Sequence, residues 1–193
     1  MSEIIGETVV KRLIAWGVDR VFEAGGAGLS GVLEGLRRHP DEIRVVAVED
    51  ESAAAELARA HARQSGGLGV CLTSSGPGGI HLRNGLYDAM VERTPVLAII
   101  GVPQQRGREV PAERACQPEE NLDRLFVNTF PGCSCVITTT AQVPAAVDLM
   151  VGRALSERTV SHLAIPDVIQ AAEVPEEPSR SPHWVFPAAG ARY

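Results

Sequence analysis

Three short stretches of this 193-residue chain combine residue types that can do chemistry. The first is Gly26-Ala27-Gly28-Leu29-Ser30-Gly31, a literal G-x-G-x-x-G that follows Val21-Phe22 and opens an amphipathic segment. Glu49 or Asp50 lies about 20 residues on, where a ribose-binding carboxylate sits when such a turn cradles a pyrophosphate. The competing reading is a tight turn with close helix packing. It is favoured by a full helical pattern ahead of the first strand, which that fingerprint lacks. The second stretch is Glu49-Asp50-Glu51-Ser52-Ala53-Ala54-Ala55. Three acids at a helix start suit its dipole, and Asp50 suits the N-cap. The third is Thr73-Ser74-Ser75-Gly76-Pro77-Gly78-Gly79-Ile80-His81, a sharp turn whose N–H groups face outward at a helix start beside a histidine. Such a turn can take an anion or a polar ligand atom. It is neither a Walker A loop nor a nucleophile elbow, since no Gly-Lys-Ser/Thr and no G-x-S-x-G is present.

The elements that must position these stretches alternate regularly. Ile4, Ile5, Val9, Leu13 and Trp16 recur at helical spacing over 3–16, and Gly17 ends that helix. Val21-Phe22 is a short strand, and a second helix is expected over 29–38. A β-branched strand over 43–48, an Ala-rich helix over 51–63 and a strand over 68–73 come next. A helix over 80–91 then leads to the apolar run 95–101, which reads as a buried parallel strand. Residues 102–123 read as irregular and polar. A strand over 136–138, a helix over 142–155 and a strand over 160–165 complete the pattern. The alternation predicts an α/β fold, a doubly wound parallel sheet with helices on both faces. It predicts a single domain over 1–172 and a proline-rich tail over 173–193 with linker character. Each glycine-rich turn follows a strand, so each lies at the strand ends where such sheets bind ligands.

Composition narrows the class. The chain is 45% hydrophobic and 22% charged, ordinary values for a soluble globular domain. A net charge of −6 and 4% aromatics disfavour nucleic acid as a partner. No apolar run reaches the roughly 18–20 residues of a membrane span, and Met-Ser-Glu-Ile-Ile is no signal peptide, so a cytoplasmic location is expected. Cys71, Cys116, Cys133 and Cys135 are too few for a disulfide framework and lack metal-site spacing, so buried thiols and no metal site are expected.

Taken in order, Asp50-Glu51-Ser52-Ala53-Ala54-Ala55, then Gly69-Val70-Cys71-Leu72-Thr73-Ser74-Ser75-Gly76-Pro77-Gly78, then Thr94-Pro95-Val96-Leu97-Ala98-Ile99-Ile100-Gly101 resemble the N-terminal pyrimidine-binding domain of thiamine-diphosphate enzymes. That family includes acetolactate synthase, pyruvate oxidase and benzoylformate decarboxylase. The resemblance runs from about residue 3 to residue 168. Within it, Gly79-Ile80-His81-Leu82-Arg83-Asn84-Gly85-Leu86-Tyr87-Asp88 is most similar to pyruvate oxidase, where a histidine occupies this turn.

The resemblance implies that Glu51 hydrogen-bonds N1′ of the cofactor's aminopyrimidine. That contact favours the imino tautomer, whose exocyclic nitrogen takes the C2 proton of the thiazolium. It implies a Glu51 carboxyl buried beside an apolar strand. It implies that His81 sits near the reacting carbon of a 2-oxo acid substrate, and that Gly25 and Gly26 let the backbone approach the pyrimidine ring. Thr73, Gly76, Pro77 and Gly78 complete the implied cofactor-binding set. Gln117 matches a catalytic glutamine, although the family's usual Phe-Gln-Glu reads here as Cys116-Gln117-Pro118-Glu119.

The family's diphosphate and Mg²⁺ are held by a separate domain with a Gly-Asp-Gly…Asn-type motif, which these residues lack. FAD, where used, binds through other parts of the complete enzyme. The chain is therefore expected to be inactive alone, to work with a diphosphate-binding domain in cis or on a partner subunit, and to form a homodimer or larger homo-oligomer. The Ala53–Ala60 face of the third helix suits either such an interface or packing inside the domain. Three other readings stay open from the residues: the α subunit of a two-subunit decarboxylase of the sulfopyruvate or phosphonopyruvate type, a non-catalytic binding module, and an NAD-binding domain.

Overall fold

The computed structural model describes residues 2–26, 28–103, 126, 129–130 and 133–174. In chain order the elements are α1 (Ile5–Ala15), β1 (Arg20–Glu23), α2 (Ser30–Arg38), β2 (Arg44–Ala47), α3 (Glu51–Ser65) and β3 (Gly69–Ser74). Then follow α4 (Pro77–Val91), β4 (Val96–Val102), β5 (Ser134–Val136), α5 (Val143–Glu157), β6 (Val160–Pro166) and the short α6 (Asp167–Gln170). The strands form one parallel sheet in the order β2-β1-β3-β4-β6-β5.

Period-two alternation sorts side chains onto two faces. Leu97 and Ile99 of β4 join the residues of α1, α2 and α5, while Val96, Ala98 and Ile100 join those of α3 and α4. The doubly wound sheet with helices on both faces follows directly. Its strand order turns back at β1: β2 lies on one side of it and β3 on the other. The crevice at that reversal, outside the carboxyl ends of β1 and β3, is where such sheets take ligands.

Helices approach closely where glycine meets glycine or alanine. A Cβ on Gly6 would fall 2.2 Å from the Gly31 backbone, and one on Gly85 would fall 2.7 Å from Ser52 O. Ala54, Ala55, Ala58 and Ala62 are buried against α4 and β3, so the Ala-rich face of α3 is spent inside the domain. Asp148 of α5 accepts from Arg12 Nε and Trp16 Nε1, each at 2.9 Å, locking α1 to α5. Glu7 of α1 takes Arg38 at 2.7 Å and Lys11 at 3.1 Å. Burial pushes the Glu7 carboxyl up, but these cations hold it below its usual range.

Three boundaries differ from the sequence expectation. Helix α4 begins at Pro77, three residues before Ile80, because Pro77 fits the first helical position and Gly76 precedes it at φ 88°. Strand β5 lies at Ser134–Val136 rather than 136–138, since its pairing with β6 starts at Ser134↔His162. The tail does not begin as a free linker at 173. Glu173 pairs with Ile4, and Val174 N–H donates to Glu3 O at 3.0 Å. Residues 175–193 lie outside the described residues. Among those described, no helix is long and apolar enough to cross a membrane.

Candidate active site

Two turns meet at the crevice. After β3, Gly76 takes a positive φ, and α4 starts at once. After β2, Asp50 caps α3: its Oδ1 accepts from Ala53 N–H at 2.8 Å. The cap reading of Asp50 is thus correct, and it leaves Glu51, first residue of α3, free to point at the crevice. Glu51 Oε2 lies 3.3 Å from His81 Nδ1, although 30 residues separate them. Ser52 Oγ donates to His81 O at 2.8 Å and ties the two helix starts together. His81 is the fifth residue of α4 rather than a first-turn residue, and its side chain is exposed.

Glu51 is not buried as the resemblance implied; its side chain keeps 22% of its exposure. The crevice stands open on that side. Its other oxygen faces inward over Gly78. A Cβ on Gly78 would lie 2.8 Å from Glu51 Oε1 and 2.9 Å from Thr73 Oγ1, so the missing side chain makes the space these two oxygens share. Thr73 is fully buried, and its hydroxyl has no hydrogen-bond partner. An orphaned buried hydroxyl is rare and marks a site of strain or function.

The turn after β1 lies across the ends of the neighbouring strands. Gly26 has φ 115°, and a Cβ there would fall 2.2 Å from Ser74 Oγ; Gly25 has φ 75°. Gly78 thus lies between Glu51 and Thr73, Glu51 faces His81, and Gly26 packs on Ser74, the residue after Thr73. Gln117 lies outside the described residues, with Cys116, Pro118 and Glu119. Asp50, Glu51 and His81 each bring one ligand atom within 4.8 Å of the others, but Asp50 already spends an oxygen on its cap.

The G-x-G-x-x-G has a different use, set by a residue that sequence reasoning missed. Gln170, in α6, is fully buried. Its Oε1 accepts from Val32 N–H at 3.2 Å, and its Nε2 donates to Gly28 O at 2.6 Å and Ile165 O at 2.8 Å. The amino end of α2, where a pyrophosphate would sit, is thus closed by a side chain. Gly31 is glycine because Gln170 Cβ would lie 2.5 Å from any Cβ there. The tight-turn reading holds, and the NAD reading fails on this plug. No local pattern announces Gln170.

Two other titratable groups, His162 and Cys71, are core residues. His162 stacks on Phe126 with ring centroids 4.1 Å apart, and burial pushes its pKa down to about 3. Burial pushes the Cys71 thiol up to about 12, so it stays protonated and unreactive.

The family model for the N-terminal TPP binding domain of thiamine pyrophosphate enzymes matches residues 4–124, more than half of the chain. The chain belongs to this family. It is 32% identical over 174 residues to pyruvate oxidase of Lactiplantibacillus plantarum, covering 90% of this chain and 28% of that one. It is 35% identical over 142 residues to acetolactate synthase of Bacillus subtilis, covering 73% of this chain and 24% of that one. The chain thus spans about a quarter of the length of these relatives. Thiamine diphosphate is accordingly the cofactor of this domain, and the crevice fits its ring. It offers a partly exposed carboxylate at Glu51 and a buried, unsatisfied hydroxyl at Thr73.

Proposed function

We propose that this chain activates thiamine diphosphate for an enzyme acting on a 2-oxo acid, with Glu51 as the acid–base residue. The observation that carries this reading is the Glu51 carboxylate held at the strand-order reversal, one oxygen outward beside His81 and one inward over Gly78. Thiamine diphosphate, when bound, would supply a nucleophilic C2 for chemistry at the carbonyl of a 2-oxo acid. Glu51 holds and exchanges a proton at its outward oxygen. The backbone at Gly25 and Gly26 lets a flat ring approach, and Gly76 and Pro77 start α4 so that His81 flanks the carboxylate. His81 orients the substrate beside the reacting carbon, and Gln117 assists on the substrate side.

Glu51 and His81 stay partly exposed, so a diphosphate-binding domain, in cis or on a partner subunit, completes the site with Mg²⁺, and FAD, where flavin is used, binds elsewhere in the complete enzyme. A homo-oligomer in the cytoplasm is the assembly we assign. Ile80, Tyr87 and Val91 support it: they are 47%, 53% and 64% exposed, and their spacing puts them on one face of the helix that carries His81. The test is Glu51→Gln in the complete protein that carries this chain. Hydrogen–deuterium exchange at C2 of the bound cofactor should slow by about 10²–10⁴-fold, the usual worth of positioned acid–base catalysis. Exchange at the unaltered rate would refute the assignment.

A further inference from the structure

We infer that Thr73 is a positioning residue for Glu51, its hydroxyl holding the inner oxygen of that carboxylate when the pyrimidine occupies the crevice. The inference rests on the reading of Glu51 above and adds to it a residue that acts through Glu51.

Three observations carry it. First, Thr73 is fully buried at the end of β3, and its Oγ1 has no hydrogen-bond partner. Its backbone is held in the ladder opposite Ile100, so strand shift cannot satisfy the hydroxyl. Second, Glu51 divides its two oxygens. Oε2 faces His81 Nδ1 at 3.3 Å, and Oε1 faces the Gly78 side. An acceptor and an orphaned donor thus flank one point. Third, Gly78 keeps that point clear, since a Cβ there would sit 2.8 Å from Glu51 Oε1 and 2.9 Å from Thr73 Oγ1.

Glu51 Oε1 already faces the space over Gly78 that Thr73 Oγ1 also faces, and the side chain is partly exposed. Turned slightly inward, Oε1 accepts a buried hydrogen bond from Thr73 while Oε2 stays on the His81 side. A hydroxyl donating to a carboxylate is a charge-assisted bond, stronger than a neutral one. Held so, the outer oxygen keeps one orientation toward an incoming ring nitrogen. The unmet hydroxyl of the open crevice is a local defect that ligand binding removes.

This makes an unusual pair of expectations for Thr73→Val, which keeps the shape and deletes the hydroxyl. In the 193-residue chain without cofactor, the thermal midpoint should rise by roughly 2–4 °C, because the orphaned group is gone. In the complete protein, C2 exchange of bound thiamine diphosphate should slow about tenfold, the worth of one good hydrogen bond. Thr73→Ser should restore the exchange rate. A lowered midpoint for Thr73→Val would show the hydroxyl to be structural and overturn the inference; so would wild-type exchange in that variant. Glu51→Gln separates the two failures. Slow exchange in Glu51→Gln with wild-type exchange in Thr73→Val removes only the role of Thr73, whereas wild-type exchange in Glu51→Gln removes the reading of Glu51 itself.

Discussion

The turn after β1 and the turn after β3 look alike on paper: each follows a strand, opens a helix and is rich in glycine. They do opposite things. In the first, Gln170 meets Val32 N–H, Gly28 O and Ile165 O, and Gly28 is pressed against Gly101. Its Gly28 carbonyl and Val32 N–H are consumed within the fold. In the second, Thr73 Oγ1 has no partner, and Glu51 offers an oxygen across Gly78. A glycine turn becomes a site when the fold leaves its polar groups unspent, and it becomes packing when the fold spends them.

The comparison can be broken at several points. Glu51→Gln should have the largest effect, at least about 10²-fold on cofactor activation, with the unfolding midpoint unchanged. Gln170→Ala should do the reverse. It strands one donor and two acceptors in the core and should cost about 3 kcal/mol of stability, read from the urea midpoint. The Glu51–His81 pair does not touch Gln170, so an activation defect exceeding that of Glu51→Gln in the still-folded variant would contradict the division between the turns.

Gly78→Ala tests the shared space. The added methyl must push Glu51 Oε1 or Thr73 Oγ1 aside, and activation should fall about tenfold or more. Stability should change by no more than about 1 kcal/mol, because helix propensity favours alanine.

The smallest effect is one of pH and belongs to the packed side alone. The Glu7 carboxyl lies below its usual value when folded, so the stability it confers is present above about pH 4.3, the unfolded value, and is lost as pH falls through the folded one. Glu7→Gln should flatten the acid limb of a stability–pH curve by about 1 kcal/mol, measured by denaturant titration, while leaving C2 exchange at neutral pH unchanged.

Much of this was readable in the chain, for local reasons. Spacing of Ile5, Val9 and Leu13 specifies α1, and the apolar runs specify β3, β4 and β6, because side-chain periodicity is a property of neighbouring residues. Breakers misled where context overruled them: Pro77-Gly78-Gly79 looked like the end of a turn and is the first turn of α4. Glu51 and His81 were legible only as part of a family pattern, since an acidic helix start needs no function to explain it.

What the sequence determined by itself is therefore the alternation of elements and the parallel sheet. The tertiary structure alone decided which turn is closed and which is open. Gln170 reaches Gly28 across 142 residues, and the Thr73 hydroxyl is orphaned by what β4, α3 and α4 fail to place beside it. Hydrogen-bond satisfaction depends on every group within reach in space, and no window of sequence contains them all.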